Sequence, residues 1–127
     1  MSPRTWIIVG AVFGAMAVCT GAFGAHALEE RLATAKTANT YEIAVRYQMY
    51  HALALVLVGL VGLHQTSTAL NVAGGCFAGG IVIFSGLLYA IALGGPKILG
   101  AIVPIGGVGM IVGWVALAIG AWSFAKK

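Results

Sequence analysis

Residues 6–28 are apolar without a charge among them, and further apolar stretches cover 52–63, 69–93 and 99–124. A bilayer core about 30 Å thick takes ~20 helical residues to cross, so the first, third and fourth stretches each suffice for one span. The second, about 12 residues, is too short on its own and must recruit the polar residues upstream of it. The pattern therefore predicts an all-α integral membrane bundle of four transmembrane helices at about 6–28, 41–63, 69–93 and 99–124, in a single domain over 1–127.

Between the first two helices, residues 29–40 (EERLATAKTANT) are polar enough to lie at the surface as a short interfacial helix. Asn39 followed by Glu42 has the spacing of a capping box opening helix 2. HQTST at 64–68 makes the next turn, and Gly94, Gly95, Pro96 and Lys97 break helix 3. Pro104 is expected in the first turn of helix 4, where a missing N–H costs least. Trp6 is expected at the interface, and Lys126 and Lys127 to anchor the end. Ala25, His26 and Ala27 imitate a signal-peptide cleavage site, but the apolar run ahead of them exceeds the usual ~7–15 residues, so a retained helix is expected.

Gly10 and Gly14, Gly75 and Gly79, and Gly109 and Gly113 form pairs of small residues four apart. They are expected to let helices approach closely within the bundle, where lipid supplies no hydrophobic drive.

Composition excludes a soluble domain. The 127-residue chain is 61% hydrophobic and 8% charged, with a mean hydropathy of +1.01, leaving no charged shell for water to solvate. The net charge of +4 comes from basic residues placed singly or in pairs at the ends of apolar stretches. That is membrane-edge chemistry, so lipid is expected as a partner and nucleic acid is not. Cys19 and Cys76 lie in apolar segments and form no CxxC motif.

Extending helix 2 back to residue 41 brings unusual polar residues into the membrane. Turns of 100° per residue put Tyr47, Gln48 and His51 on one face, and Glu42, Arg46, Met49 and Tyr50 on another. Glu42 and Arg46, four apart, suit an ion pair that anchors the helix or locks its topology. By helical rise, His26 lies roughly 30 Å from Trp6, and Ser85 and Tyr89 roughly 24 and 30 Å from residue 69. His51 lies about 8 Å below Arg46. These depths predict that His26, Tyr47, Gln48, His51, Ser85 and Tyr89 converge in a shallow polar layer near the face carrying the 1–2 and 3–4 connections. There they serve either as glue between helices, with Ser85 and Tyr89 the plainest case, or as a ligand site.

The same residues carry a resemblance. GAFGAHAL at 21–28, YQMYHALAL at 47–55, FSGLLY at 84–89, and PIGG at 104–107 with GW at 113–114 resemble the domain-of-unknown-function 423 family. This is a group of YgdD-like small membrane proteins of bacteria with relatives in animal mitochondria. The resemblance spans nearly the whole chain and implies a four-helix inner-membrane protein without an established activity. It puts His26, Gln48, His51, Ser85, Tyr89 and Pro104 at the family's motif positions, while Leu87 stands where a small polar residue is expected.

With no P-loop, HExxH or Ser/His/Asp pattern, hydrolase and ATPase chemistry lack support, and no enzyme, cofactor or metal is expected. The leading expectation is a structural or accessory membrane component, with a second copy or another membrane protein as partner. The alternative is a channel or carrier for a proton, ion or small solute, which needs an oligomer because four helices leave little room for a pore. Haem or metal binding through His26 and His51 is a remote third. The positive-inside count is nearly tied, with Arg4, Lys126 and Lys127 against Arg31, Lys36, Lys97 and Arg46. The first helix, flanked at its far end by two acids, tips the expectation to cytoplasmic termini in a bacterial inner membrane.

Overall fold

The computed structural model describes residues 1–124, with side chains through Trp122. Lys126 and Lys127, expected as anchors, lie outside the described residues. Helix α1 (Pro3–His26) and the short α2 (Glu29–Thr34) lead into the long α3 (Ala38–His64). Then come α4 (Thr68–Gly80), a π-helical segment (Ile81–Ser85) and α5 (Gly86–Ala92), which together form one continuous span. A 3-10 turn (Lys97–Ala101) leads into α6 (Val103–Phe124). Four helical stretches are long and apolar enough to cross a membrane. Among the described residues there is no strand.

Local chemistry sets the ends. Ser2 caps α1 by accepting the Thr5 N–H at 3.2 Å, with Pro3 at the first helical position. Ser67 caps α4 by accepting the Leu70 N–H at 3.2 Å. Gly94, at φ 102°, turns the chain out of α5. Pro104 occupies the first turn of α6. The expected capping box does not form. Helix α3 starts at Ala38, which puts Asn39 inside the first turn, and the hydroxyl at its N-cap, Thr37, donates instead to the Ala92 carbonyl at 2.8 Å. Together with the Arg31 bond to the Leu93 carbonyl at 2.9 Å, this latches the first connection to the end of α5.

The bundle is built from two tightly paired hairpins, α1 with α3 and α4 with α6, joined where α3 packs on the α4–α5 span. Helix α3 is buried on two sides, along Tyr41, Ala44, Gln48, Ala52, Leu55, Val58 and Gly62. The main core gathers Trp6, Leu55, Val58, Leu70, Phe77, Ile81 and Met110. Trp6, expected at the interface, does not face outward. It is 5% exposed and turned inward against Gly74, its indole N–H donating to Asn71 Oδ1 at 3.2 Å.

The glycine pairs divide. A Cβ at Gly10 would meet the Ala52 carbonyl oxygen at 2.7 Å, and one at Gly113 the Phe77 ring at 2.7 Å, so both sit at close approaches. Gly14 and Gly109 have looser neighbours, at 4.0 and 3.7 Å. Gly75 and Gly79 face open space and do not pack within the bundle. The inward stripe of α4 runs through Leu70, Ala73, Gly74 and Phe77, which leaves 75 and 79 on the opposite side. Gly74 and Gly80, one position away from the expected pair, make the contacts.

Candidate functional site: a polar ladder through the bundle

Helix α3 presents Gln48 and His51 three residues apart, both buried, at 3% and 5% exposure. A hydrocarbon-filled interior tolerates such groups only when their hydrogen bonds are met by protein. Gln48 Nε2 donates across to the Phe13 carbonyl of α1 at 2.9 Å, and Gln48 Oε1 accepts from the Tyr89 hydroxyl of α5 at 2.8 Å. A backbone carbonyl only accepts, so the amide nitrogen must face α1. The Tyr89 hydroxyl also lies 3.0 Å from Thr20 Oγ1, and the Thr20 backbone carbonyl accepts from the Tyr41 hydroxyl at 2.7 Å. The rings of Tyr41 and Tyr89 meet edge to face at 5.1 Å. A continuous set of neutral hydrogen bonds thus ties α1, α3 and α5.

One turn further on, His51 Nδ1 lies 2.7 Å from the Tyr47 carbonyl, so the proton sits on Nδ1. That leaves Nε2 to accept from the Trp114 indole N–H of α6 at 3.2 Å. Phe77 and Trp114 flank the imidazole at ring separations of 5.6 and 6.1 Å, and Tyr47 stacks on it at 5.9 Å. Both ring nitrogens are committed to neutral partners.

Of the six residues expected to converge, Gln48, Tyr89 and His51 are brought inward and bonded. Tyr47 contributes its carbonyl and its ring while remaining 40% exposed. His26 is exposed at the end of α1, about 20 Å along that helix from Phe13, where Gln48 docks. It does not join the layer and cannot share a haem or metal with His51. The bonded residues are spread along the helices. They begin near Thr20 but reach the middle of α1 at Phe13, and His51 lies halfway along the 27-residue α3. Glu42 and Arg46 do form the i, i+4 ion pair, on a face where both side chains are more than half exposed.

Ser85 differs from its expected role. The i, i+4 spacing suggested that it works with Tyr89, yet its Oγ is buried without a hydrogen-bond partner, at 1% exposure. It closes the π segment, where the usual i to i−4 backbone pattern is interrupted. An unpaired buried hydroxyl costs about 1–3 kcal/mol, so Ser85→Ala is expected to hold or raise the thermal midpoint of the purified protein. A drop of several degrees would show that the hydroxyl has a partner in the membrane.

Thr20, Tyr41 and Trp114 were not singled out from the sequence. Thr20 is a polar residue deep in an otherwise apolar α1, and Trp114 belongs to the GW pair, so a signal existed for both. Tyr41 read only as a helix start.

A family model described as protein of unknown function (DUF423) matches residues 20–107. The chain is 50% identical over 122 residues to a UPF0382 membrane protein of Staphylococcus epidermidis, covering 96% of this chain and 98% of that one. It is 50% identical over 117 residues to one of Staphylococcus saprophyticus, covering 92% and 96%. With a UPF0382 membrane protein of Staphylococcus aureus it shares 45% identity over 122 residues, 96% of this chain and 98% of the relative. No solved structure matches the chain.

Proposed function

The chain belongs to the DUF423 family of proteins of unknown function, a small multi-pass membrane protein, and we propose that it is a non-enzymatic structural or accessory component of its membrane. The observation that carries this reading is the mutual satisfaction of the intramembrane polar groups. Both polar atoms of the Gln48 amide and both nitrogens of His51 bond to other helices or to backbone. Groups arranged this way hold helices in register, and each polar atom of that pair already has a protein partner.

Reconstituted into proteoliposomes, the protein is expected to conduct protons and ions no faster than empty vesicles. Tyr89→Phe, which removes the hydroxyl shared by Gln48 and Thr20, is expected to cost about 0.6–1.7 kcal/mol and lower the thermal midpoint by a few degrees. An unchanged midpoint combined with loss of a measurable flux would overturn the reading in favour of a channel or carrier.

The same proposal places the protein in the bacterial inner membrane with both termini cytoplasmic. Arg4 beside the first span, and Glu29 and Glu30 beyond it, support that orientation. Reporters fused to either terminus test it, and activity only on the outer side would reverse it.

A further inference from the structure

A groove of about 550 Å³ opens sideways between α3, the π segment and α6, walled by Tyr47, Tyr50, His51, Phe84, Gly107 and Trp114. Its volume is that of a small-molecule site. Tyr47 and His51 lie about 14 and 20 Å along a helix about 40 Å long, so the groove runs from the level of the exposed Glu42–Arg46 pair toward the middle of the span.

The wall is a strip of rings. Tyr47 lies 4.7 Å from Phe84 and 6.1 Å from Tyr50, and His51 continues the strip to Trp114. Tyr47, Tyr50 and Trp114 are 40%, 54% and 44% exposed. The indole N–H and both imidazole nitrogens are already spent. What remains for a ligand is the two phenol hydroxyls of Tyr47 and Tyr50, which make no hydrogen bond among the described residues. The groove holds no charged side chain.

We infer that this groove binds a neutral, flat ring bearing carbonyl oxygens and dissolved in the membrane, that is, the head group of a quinone-type lipid. The rings offer faces for stacking, and the phenols offer donors to acceptors that have none of their own. A cationic head group is disfavoured, since no carboxylate lines the groove to meet it and the Arg46 guanidinium stands beside Tyr50. A plain acyl chain would fill the volume but leave both phenols unpaired. This assignment goes beyond the scaffold reading, which rests on the inward bonds of Gln48 and His51, whereas the ligand would use the outward ring faces and the phenols. Binding alone is proposed, without electron transfer.

The test uses the full chain in phosphatidylcholine nanodiscs, titrated with a benzoquinone carrying a decyl tail while tryptophan fluorescence is followed. Saturable quenching is expected, with the saturable part absent in Trp114→Phe. Tyr47→Phe with Tyr50→Phe is expected to weaken binding about thirtyfold, the loss of two hydrogen bonds. Because those changes touch the wall itself, Gly107→Leu serves as a second variant. A Cβ there meets only ordinary contacts, at 3.6 Å from Phe84, so a side chain can start from this position into the groove; binding is expected to vanish while the thermal midpoint holds. Quenching that rises linearly, as when an acyl chain or a neighbouring helix owns the groove, would overturn the inference. So would displacement by decylbenzene at equal concentration, or unchanged affinity in both variants.

Discussion

Gly10→Leu is expected to detach α1 from α3 and prevent recovery of a monodisperse protein, and Gly10→Ala to lower the thermal midpoint sharply. A Cβ at this position would fall 2.7 Å from the Ala52 carbonyl oxygen and 2.9 Å from the Val56 nitrogen. Both are backbone atoms of a helix buried on two sides, so neither can step aside as the tip of a flexible side chain would. Overpacking of this kind costs about 1–3 kcal/mol even where side chains can adjust, and more where the backbone itself must move. The damage also spreads, because the Gln48 bond to Phe13 crosses the same seam and lengthens as the helices part. Gly14→Ala, one turn along the same helix, is the control. Its Cβ would sit 4.0 Å from that of Ala52, an ordinary contact, so the substitution is expected to be neutral or mildly stabilising. Equal midpoints for Gly10→Ala and Gly14→Ala, measured by thermal denaturation in detergent, would refute the close approach.

Gln48→Leu carries the second large effect. Leucine has nearly the volume of glutamine, so little packing is lost, and what disappears is the pair of bonds to Phe13 and Tyr89. Polar links between membrane helices average about 0.6 kcal/mol and reach about 1.7, so two of them on one residue predict a loss of about 1–3 kcal/mol. The Tyr89 hydroxyl keeps Thr20 as partner, which limits the penalty of leaving it behind. Combined with Tyr89→Phe, the double variant should be less destabilised than the sum of the singles, since both remove one shared bond. Strict additivity would mean that the two side chains do not work together in the membrane.

The spans were legible because the bilayer imposes a length and an apolarity that few soluble segments meet, and runs such as 6–28 and 69–93 declare both. The special character of helix 2 was legible for the same reason, since a short apolar stretch forces Gln48 and His51 inward. Depth was not. How far the bonded groups spread along the helices depends on which residues meet across them, such as Gln48 with the Phe13 carbonyl 35 positions earlier. Facing was only partly legible. A step of 100° per residue sorted Gln48 and His51 from Glu42 and Arg46, but the pairs Gly75–Gly79 and Gly74–Gly80 differ by one residue, and only the packing partner selects between them. The π segment shifts the register of everything after it, and no residue in IVIFS announces it.

The least apolar of the four spans is α3, which also carries the buried amide and imidazole. On its own it would be the reluctant one to leave water for lipid. In the bundle α1, without a charge from residue 6 to its end, meets it with the Phe13 carbonyl and the bare backbone at Gly10. The bonds that hold the finished bundle in register are thus also the ones that offset the cost of keeping the amide of its wettest helix away from water.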